Sequence, residues 1–432
     1  MPIPHSVEEI TLQNGARGLL IDVPNTTTVY YSIHFLAGIN YVSDTTKSQT
    51  AHVMEHLAFG ANSKFPTPEA FSQEFTKNGA WNNAFTSNVE MNYYSVAPHM
   101  EWERILDLQL LSIAQPRYTQ KSLDAEKGNV REELAGNASN HSRILWQETM
   151  RAFGLTRWYD PKEIKTIAPI TLDDIHEHFS RTHTTKNMKF LVAGNLGAHR
   201  DTIIDKLNSL QLEPGERFTI PAETATAPGP VFIVRKDVPS LIFSLTFMIN
   251  REVSLDELRN MGVLAHILTG TFHSRIFGEA RRRGICYGLG TNYETHVSGV
   301  TEFSIGGQVQ FENAAELCEL IIEQLNKVKN EGVTEEELQA AKEYRLGGMQ
   351  MTNDTVRSLA NWYMDEYYDS NIIDRPEEMI ARIGKTSVAD IKKILNELLD
   401  AAVWTFSGIG NSTEAEFTKL YEMFETNLVG KE

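Results

Sequence analysis

The chain has 432 residues, 41% of them hydrophobic and 22% charged, a globular composition on a length that calls for more than one core. Its formal net charge of −17 excludes a general nucleic-acid binder, which needs a basic face. Only two cysteines, Cys286 and Cys318, are present, so no disulfide framework exists and packed free thiols in a reducing compartment are expected. The opening MPIPHSVEEITLQNG has neither a basic segment nor an apolar stretch, and no run reaches the ~18 apolar residues of a membrane span. A cytoplasmic protein with no membrane partner is the expectation.

Taken in chain order, apolar runs predict strands over 17–23 and 29–37, and helical periodicity covers 46–59 and 67–78. A strand follows over 91–97, then helices over 99–114, 119–138, 142–152 and 171–179, with Thr171 as an N-cap, and a strand over 188–194. The stretch EPGERFTIPAETATAPGP, near the midpoint, is rich in Pro, Gly, Thr and Ala and reads as a linker. Beyond it lie strands near 231–236 and 241–249, helices near 255–269 and 274–282, and a strand near 301–309. Helices over 312–330, 334–351, 353–370, 376–382 and 387–399 and a strand over 402–408 complete the reading, with Ser387 as an N-cap.

Several segments recur in the same order. YYSIHFLAG (30–38) resembles IFSLTFMIN (242–250), HVMEHLAFG (52–60) resembles GVLAHILTG (262–270), and ITLDDIHEHF (170–179) resembles TSVADIKKIL (386–395). A Gly-Asn pair follows the last segment at the same distance in each copy, at Gly194 and Gly410. The chain therefore reads as an α+β protein of two homologous α/β units, each a mixed, mainly antiparallel sheet packed with helices. The units are expected at 1–214 and 230–432, joined by a linker at 215–229.

The first copy carries His52-Val53-Met54-Glu55-His56. Histidines at i and i+4 face one side of a helix and can share one ion. Glu55 falls near the same face, where a carboxylate serves as general base toward metal-activated water. A third protein ligand is needed, and TQKSLDAEKGNVREELAG offers Glu126 and Glu133, two turns apart on one face, with Glu132 turned ~100° away. In the second copy only His266 remains, with Gly262 in the place of the first histidine and Ala265 in that of the glutamate. Another His-Glu cluster, at 176–179, sets His176 and His178 ~200° apart and reads as a solvated helix face.

With these residues the sequence resembles the pitrilysin/insulinase family of zinc peptidases, whose motif is an inverted H-x-x-E-H, in a short two-domain form. The resemblance implies the metallopeptidase fold of the mitochondrial processing peptidase type. It implies one Zn2+ per chain held by His52, His56 and Glu133, the last lying 77 residues after His56 as in the family. Glu55 is then the catalytic base and Glu126 a supporting carboxylate. The segment GAWNNAFTSNVEMNYYSV (79–96) is similar to the family strand that pairs with extended substrate, which makes Asn83, Ala84 and Phe85 substrate-binding residues. In SRIFGEARRRGICYG (274–288), Tyr287 matches the family tyrosine, and a one-residue gap puts Arg281 in the role of its arginine.

The implied activity is endopeptidase cleavage of unfolded peptides or oligopeptides inside a clamshell chamber. Two units make half such a shell, so a homodimer or a heterodimer with a paralogous chain is expected. Alternatives within the family are a processing peptidase dedicated to one precursor and a non-catalytic partner subunit.

Overall fold

A computed structural model describes residues 3–352 and 354–428, with the side chains of Thr352 and Asp365 left out. It divides into two compact units. The first comprises the chain up to Ala138, Trp158–Ile220 and Met349–Ile373; the second comprises Ser139–Arg157, Pro221–Gly348 and the chain from Asp374 onward. The units therefore differ from the contiguous halves 1–214 and 230–432. One helical segment of each half is exchanged, His141–Ala152 into the second unit and Val356–Ser370 into the first.

The first unit holds strands β1 (Ser6–Thr11), β2 (Arg17–Asp22), β3 (Thr28–Phe35), β4 (Trp81–Thr86), β5 (Met91–Pro98) and β6 (Met188–Gly194). They lie in the order β1-β2-β6-β3-β5-β4, parallel only between β2 and β6. The second unit holds β7 (Val231–Val234), β8 (Ser240–Ile249), β9 (Cys286–Thr295), β10 (Thr301–Gln310) and β11 (Val403–Gly410). Their order is β7-β11-β8-β10-β9, again parallel only at β7–β11. Without β1 the two sheets have one topology, which matches the repeat read in the sequence. The helices Leu172–Thr182 and Val388–Asp400 occupy the same place in each copy, capped by Thr171 and Ser387 through reciprocal capping boxes.

The central strands of the first sheet read as continuous apolar runs because both faces are covered. Alternate side chains separate cleanly, as a period of two requires. Tyr31, Ile33, Phe190 and Val192 join Val53, Met54 and Leu57 in one core, while Leu19, Ile21, Tyr30 and Leu191 meet Leu359, Tyr363 and Tyr367 of the exchanged helix. Full burial of such a side chain contributes roughly 1.5–3 kcal/mol.

Three strands have no strong apolar signal: β1, β4 and β9. β4 and β9 are the outer strands next to β5 and β10, held by ladder pairing rather than by their own burial. The short helices Asp160–Ile167 and Arg200–Asn208 and the terminal helix Glu414–Asn427 also lie outside the expected set. His178 departs from the solvated face expected of it. It is fully buried, its Nε2 set 2.9 Å from the Ala37 carbonyl, and burial pushes its pKa down to about 4. No helix among the described residues is long and apolar enough to cross a membrane. Both cysteines are free and buried.

Candidate metal centre

The helix Thr50–Ala58 is buried on nearly every side, an unusual setting for two histidines and a glutamate. The helix Gln120–Asn137 packs against it. Its start is fixed by a capping box between Thr119 and Ser122, and its face then presents Glu126 and Glu133.

The imidazoles of His52 and His56 stand 5.0 Å apart, centroid to centroid, at an angle of 80°. Both Nε2 atoms lie 3.5 Å from one oxygen, Oε2 of Glu133. The opposite nitrogens are already engaged: His52 Nδ1 with Gln49 Oε1 at 3.0 Å, and His56 Nδ1 with Glu126 Oε2 at 3.1 Å. An acceptor at each Nδ1 fixes the proton there and leaves the Nε2 lone pair free for a metal. Asn129 donates to Glu126 from one turn further along, at 3.0 Å. The indole of Trp158 closes the side of His52 at 5.5 Å.

The donor set fits zinc. Two imidazole nitrogens and one carboxylate oxygen form a three-ligand set with room for a fourth position. Bonds of ~2.0–2.1 Å in tetrahedral geometry require ligand atoms about 3.4 Å apart, close to the 3.5 Å seen here.

Charge follows the same geometry. The hydrogen-bonding and charge of His52 and His56 hold Glu133 far below the usual carboxylate range. Burial disfavours the His56 imidazolium, yet Glu126 and Glu133 outweigh it and raise the pKa to about 10. Glu55 is buried, and that burial pushes its carboxyl up against the opposing pull of His52, His56 and Thr86. Thr86, at the end of β4, donates its hydroxyl to Glu55 Oε2 at 2.8 Å. Gln49 and Thr86 are contacts that the motif gave no reason to name, since neither is a ligand or an acid.

Asn83, Ala84 and Phe85 lie on β4, the outermost strand of its sheet. Asn83 and Phe85 are exposed, and Ala84 faces the core. The Ala84 N–H donates to the Asn83 side chain at 2.9 Å, so it points away from β5 toward the open edge. In the second unit, the Arg281 guanidinium lies over the Tyr287 ring, 4.7 Å from its centre. Arg282 and Arg283 instead both pair with Glu279, at 2.6 and 2.7 Å. Tyr287 is 86% exposed.

The second copy shows what stands at the positions of the first copy's histidine and glutamate. A Cβ on Gly262, the counterpart of His52, would lie 2.5 Å from Tyr293 Oη and 2.6 Å from Arg345 Cζ. Arg345 donates to the Gly262 carbonyl at 3.1 Å. A guanidinium therefore fills space beside the helix, and His266 packs on Tyr344 at 4.4 Å.

Residues 19–157 match the family model described as insulinase, peptidase family M16, and residues 169–344 match the model described as the peptidase M16 inactive domain. The chain belongs to the insulinase family of peptidases, as a two-domain member. It is 22% identical over 356 residues to an uncharacterized zinc protease of Bacillus subtilis, YmxG, covering 82% of this chain and 86% of that one. Human insulin-degrading enzyme is 29% identical over 141 residues, covering 32% of this chain but 13% of that enzyme. In fold, the chain is similar to a protease from Helicobacter pylori, with TM-score 0.80 and 18% identity, covering 95% of this chain and 100% of that one. An M16 inactive-domain protein of Pseudomonas fluorescens gives the same TM-score and identity over 94% and 99%.

Proposed function

We propose that this chain is a zinc-dependent endopeptidase acting on unfolded peptides or oligopeptides. The observation that carries the reading is the convergence of His52 Nε2, His56 Nε2 and Glu133 on one point, with Glu55 buried beside them. Zinc, when bound by His52, His56 and Glu133, supplies Lewis acidity toward a peptide carbonyl and toward water. Glu55 accepts the proton of the attacking water and returns it to the leaving amine. Its burial favours the first transfer, because a carboxylate with a raised pKa is a stronger base toward water, and the proton then passes to the amine nitrogen as the C–N bond breaks. Thr86 fixes the carboxylate's orientation, and Gln49 and Glu126 hold the imidazole rings.

Substrate is held as an added strand on β4. The outward Ala84 N–H offers a main-chain hydrogen bond once the Asn83 carboxamide swings aside, and Phe85 provides an apolar contact. Main-chain pairing of this kind selects extended chains over folded ones. Arg281 and Tyr287 hold further substrate backbone.

The reading extends to assembly and setting. Family members with four such units close around a chamber, so this two-unit chain works with a second chain, identical or paralogous. The free thiols Cys286 and Cys318 suit a reducing, cytoplasmic setting.

The test is cleavage of quenched fluorescent peptides by purified chain of known zinc content. Cleavage abolished by a chelator and restored by zinc is the expected result, with light scattering reporting the active species as a dimer. A protein that neither binds zinc nor cleaves any peptide overturns the reading.

A further inference from the structure

A second group of metal-ligating side chains lies in the second unit, at the turn end of the β9–β10 hairpin. Glu294 on β9 and Glu302 on β10 are direct partners in the antiparallel ladder. Like charges directly opposite on one sheet repel, and Glu302 is almost fully buried. His296, just past the end of β9, sets its ring beside both: Nδ1 is 3.3 Å from Glu294 Oε1 and Nε2 is 3.4 Å from Glu302 Oε2. One ligand atom from each of the three residues falls within 4.8 Å of the other two.

Two further observations point to a ligand. The His296 side chain is 8% exposed, and its Nε2, aimed at Glu302, makes no hydrogen bond despite that distance. Arg157, whose charge also acts on Glu294, is paired with Glu223 at 3.1 Å. Two carboxylates and one imidazole meet at the hairpin end, a set of donors that suits one divalent ion. Glu302 is the buried one of the two, and the donors Ser304 and Trp146 that face it are neutral, so a charge there is held at a cost.

We propose that Glu294, His296 and Glu302 form a second divalent-cation site, distinct from the peptidase centre. The ion takes only one nitrogen of His296, since Nδ1 and Nε2 point to opposite sides of the ring, and the three ligand atoms within 4.8 Å of one another make a looser set than the 3.5 Å of the first unit. One imidazole with two carboxylates suits Zn2+ or Mn2+ better than the all-oxygen ions. Ser304 donates to Glu302 Oε1 at 2.8 Å and orients that carboxylate. Glu294 is half exposed, which gives the ion a way in. The bound ion cross-links β9 to β10 at the turn end, stiffening the outer strand that begins with Cys286 and Tyr287. Its role is structural, and it needs no peptide.

The competing arrangement is an imidazolium gripped by both carboxylates, which takes up no metal. Chelator-treated full chain, titrated with Zn2+ and separately with Mn2+ and followed by calorimetry and metal analysis, separates the two. Wild type is expected to bind two Zn2+ per chain, and a His52→Ala/His56→Ala variant one. Glu294→Gln, at a half-exposed position that folding tolerates, is expected to weaken that remaining Zn2+ and the Mn2+ step at least tenfold. Glu302→Gln is expected to remove them. No metal bound by the double-histidine variant, or binding to it unmoved by Glu294→Gln, overturns the proposal. A chain that binds one ion and loses it through Glu294→Gln would instead keep this site and sink the peptidase centre.

Discussion

The Thr86 hydroxyl donates to Glu55 Oε2 at 2.8 Å, tying the carboxylate of the motif helix to the edge strand β4. One hydrogen bond thus joins the candidate base to the strand proposed to carry substrate. Thr86→Val keeps the shape and deletes the donor. A hydrogen bond to a charged group contributes about 1.5–3 kcal/mol, so kcat is expected to fall roughly ten- to a hundredfold. Zinc content should stay at the wild-type level. Steady-state kinetics with metal analysis checks this, and an unchanged kcat would remove Thr86 from the account.

Gln49 and Glu126 each occupy the Nδ1 of a motif histidine, His52 and His56. Removing such a partner costs about 10–100-fold in metal affinity. Glu126→Ala and Gln49→Ala are therefore expected to weaken zinc binding by that factor, measured by competition with a chromophoric chelator. Glu132→Ala, one residue from Glu133, is the control and should leave affinity unchanged.

Zinc needs a neutral imidazole, and the metal-free chain holds a proton on His56 up to a pKa of about 10. This group's folded value lies above its ordinary 6.5. Its contribution to metal-free stability is thus fully present below about pH 6.5 and is lost as pH rises through about 10. Glu133 is depressed, so its share is present above the ordinary carboxylate range and is lost on acidification. Zinc affinity rises over the interval in which the metal-free pair weakens. The gap in melting temperature between zinc-loaded and metal-free protein should widen from pH 6.5 to pH 9. A gap that stays constant in calorimetry would contradict the charge assignment.

The Ala84 N–H points off the edge of the sheet. Proline is tolerated in strands where the N–H faces outward. Ala84→Pro should fold and bind zinc while raising KM for peptides by about tenfold, the equivalent of one lost hydrogen bond. Zinc affinity and melting temperature near wild type, with an unchanged KM, would show that substrate does not pair with β4.

Much of this was legible in the sequence because its signals are local. The i and i+4 histidines with Glu55 need only helix geometry, and the repeat exposed one sheet topology written twice. Strands β3, β6 and β8 are apolar enough to be read directly. β4 and β9 are not: WNNAFT and CYGLGTNYET owe their extended form to pairing with β5 and β10. The exchange of the helices His141–Ala152 and Val356–Ser370 was also hidden, since an amphipathic helix does not state which sheet it covers. His178 looked solvated beside Glu177, yet the carbonyl of Ala37, distant in sequence, gives it a buried partner. Gln49 and Thr86 act through tertiary hydrogen bonds and have no sequence signature.

The sharpest test of Glu55 as the base of a zinc peptidase is Glu55→Gln, because the amide keeps the shape and the Thr86 contact. Peptide cleavage and bound zinc would be measured side by side in wild type and variant. Active wild type, zinc retained in both, and cleavage by the variant reduced about 10²–10⁴-fold are the expected results. A zinc-loaded Glu55→Gln protein cleaving at the wild-type rate would contradict that role for Glu55.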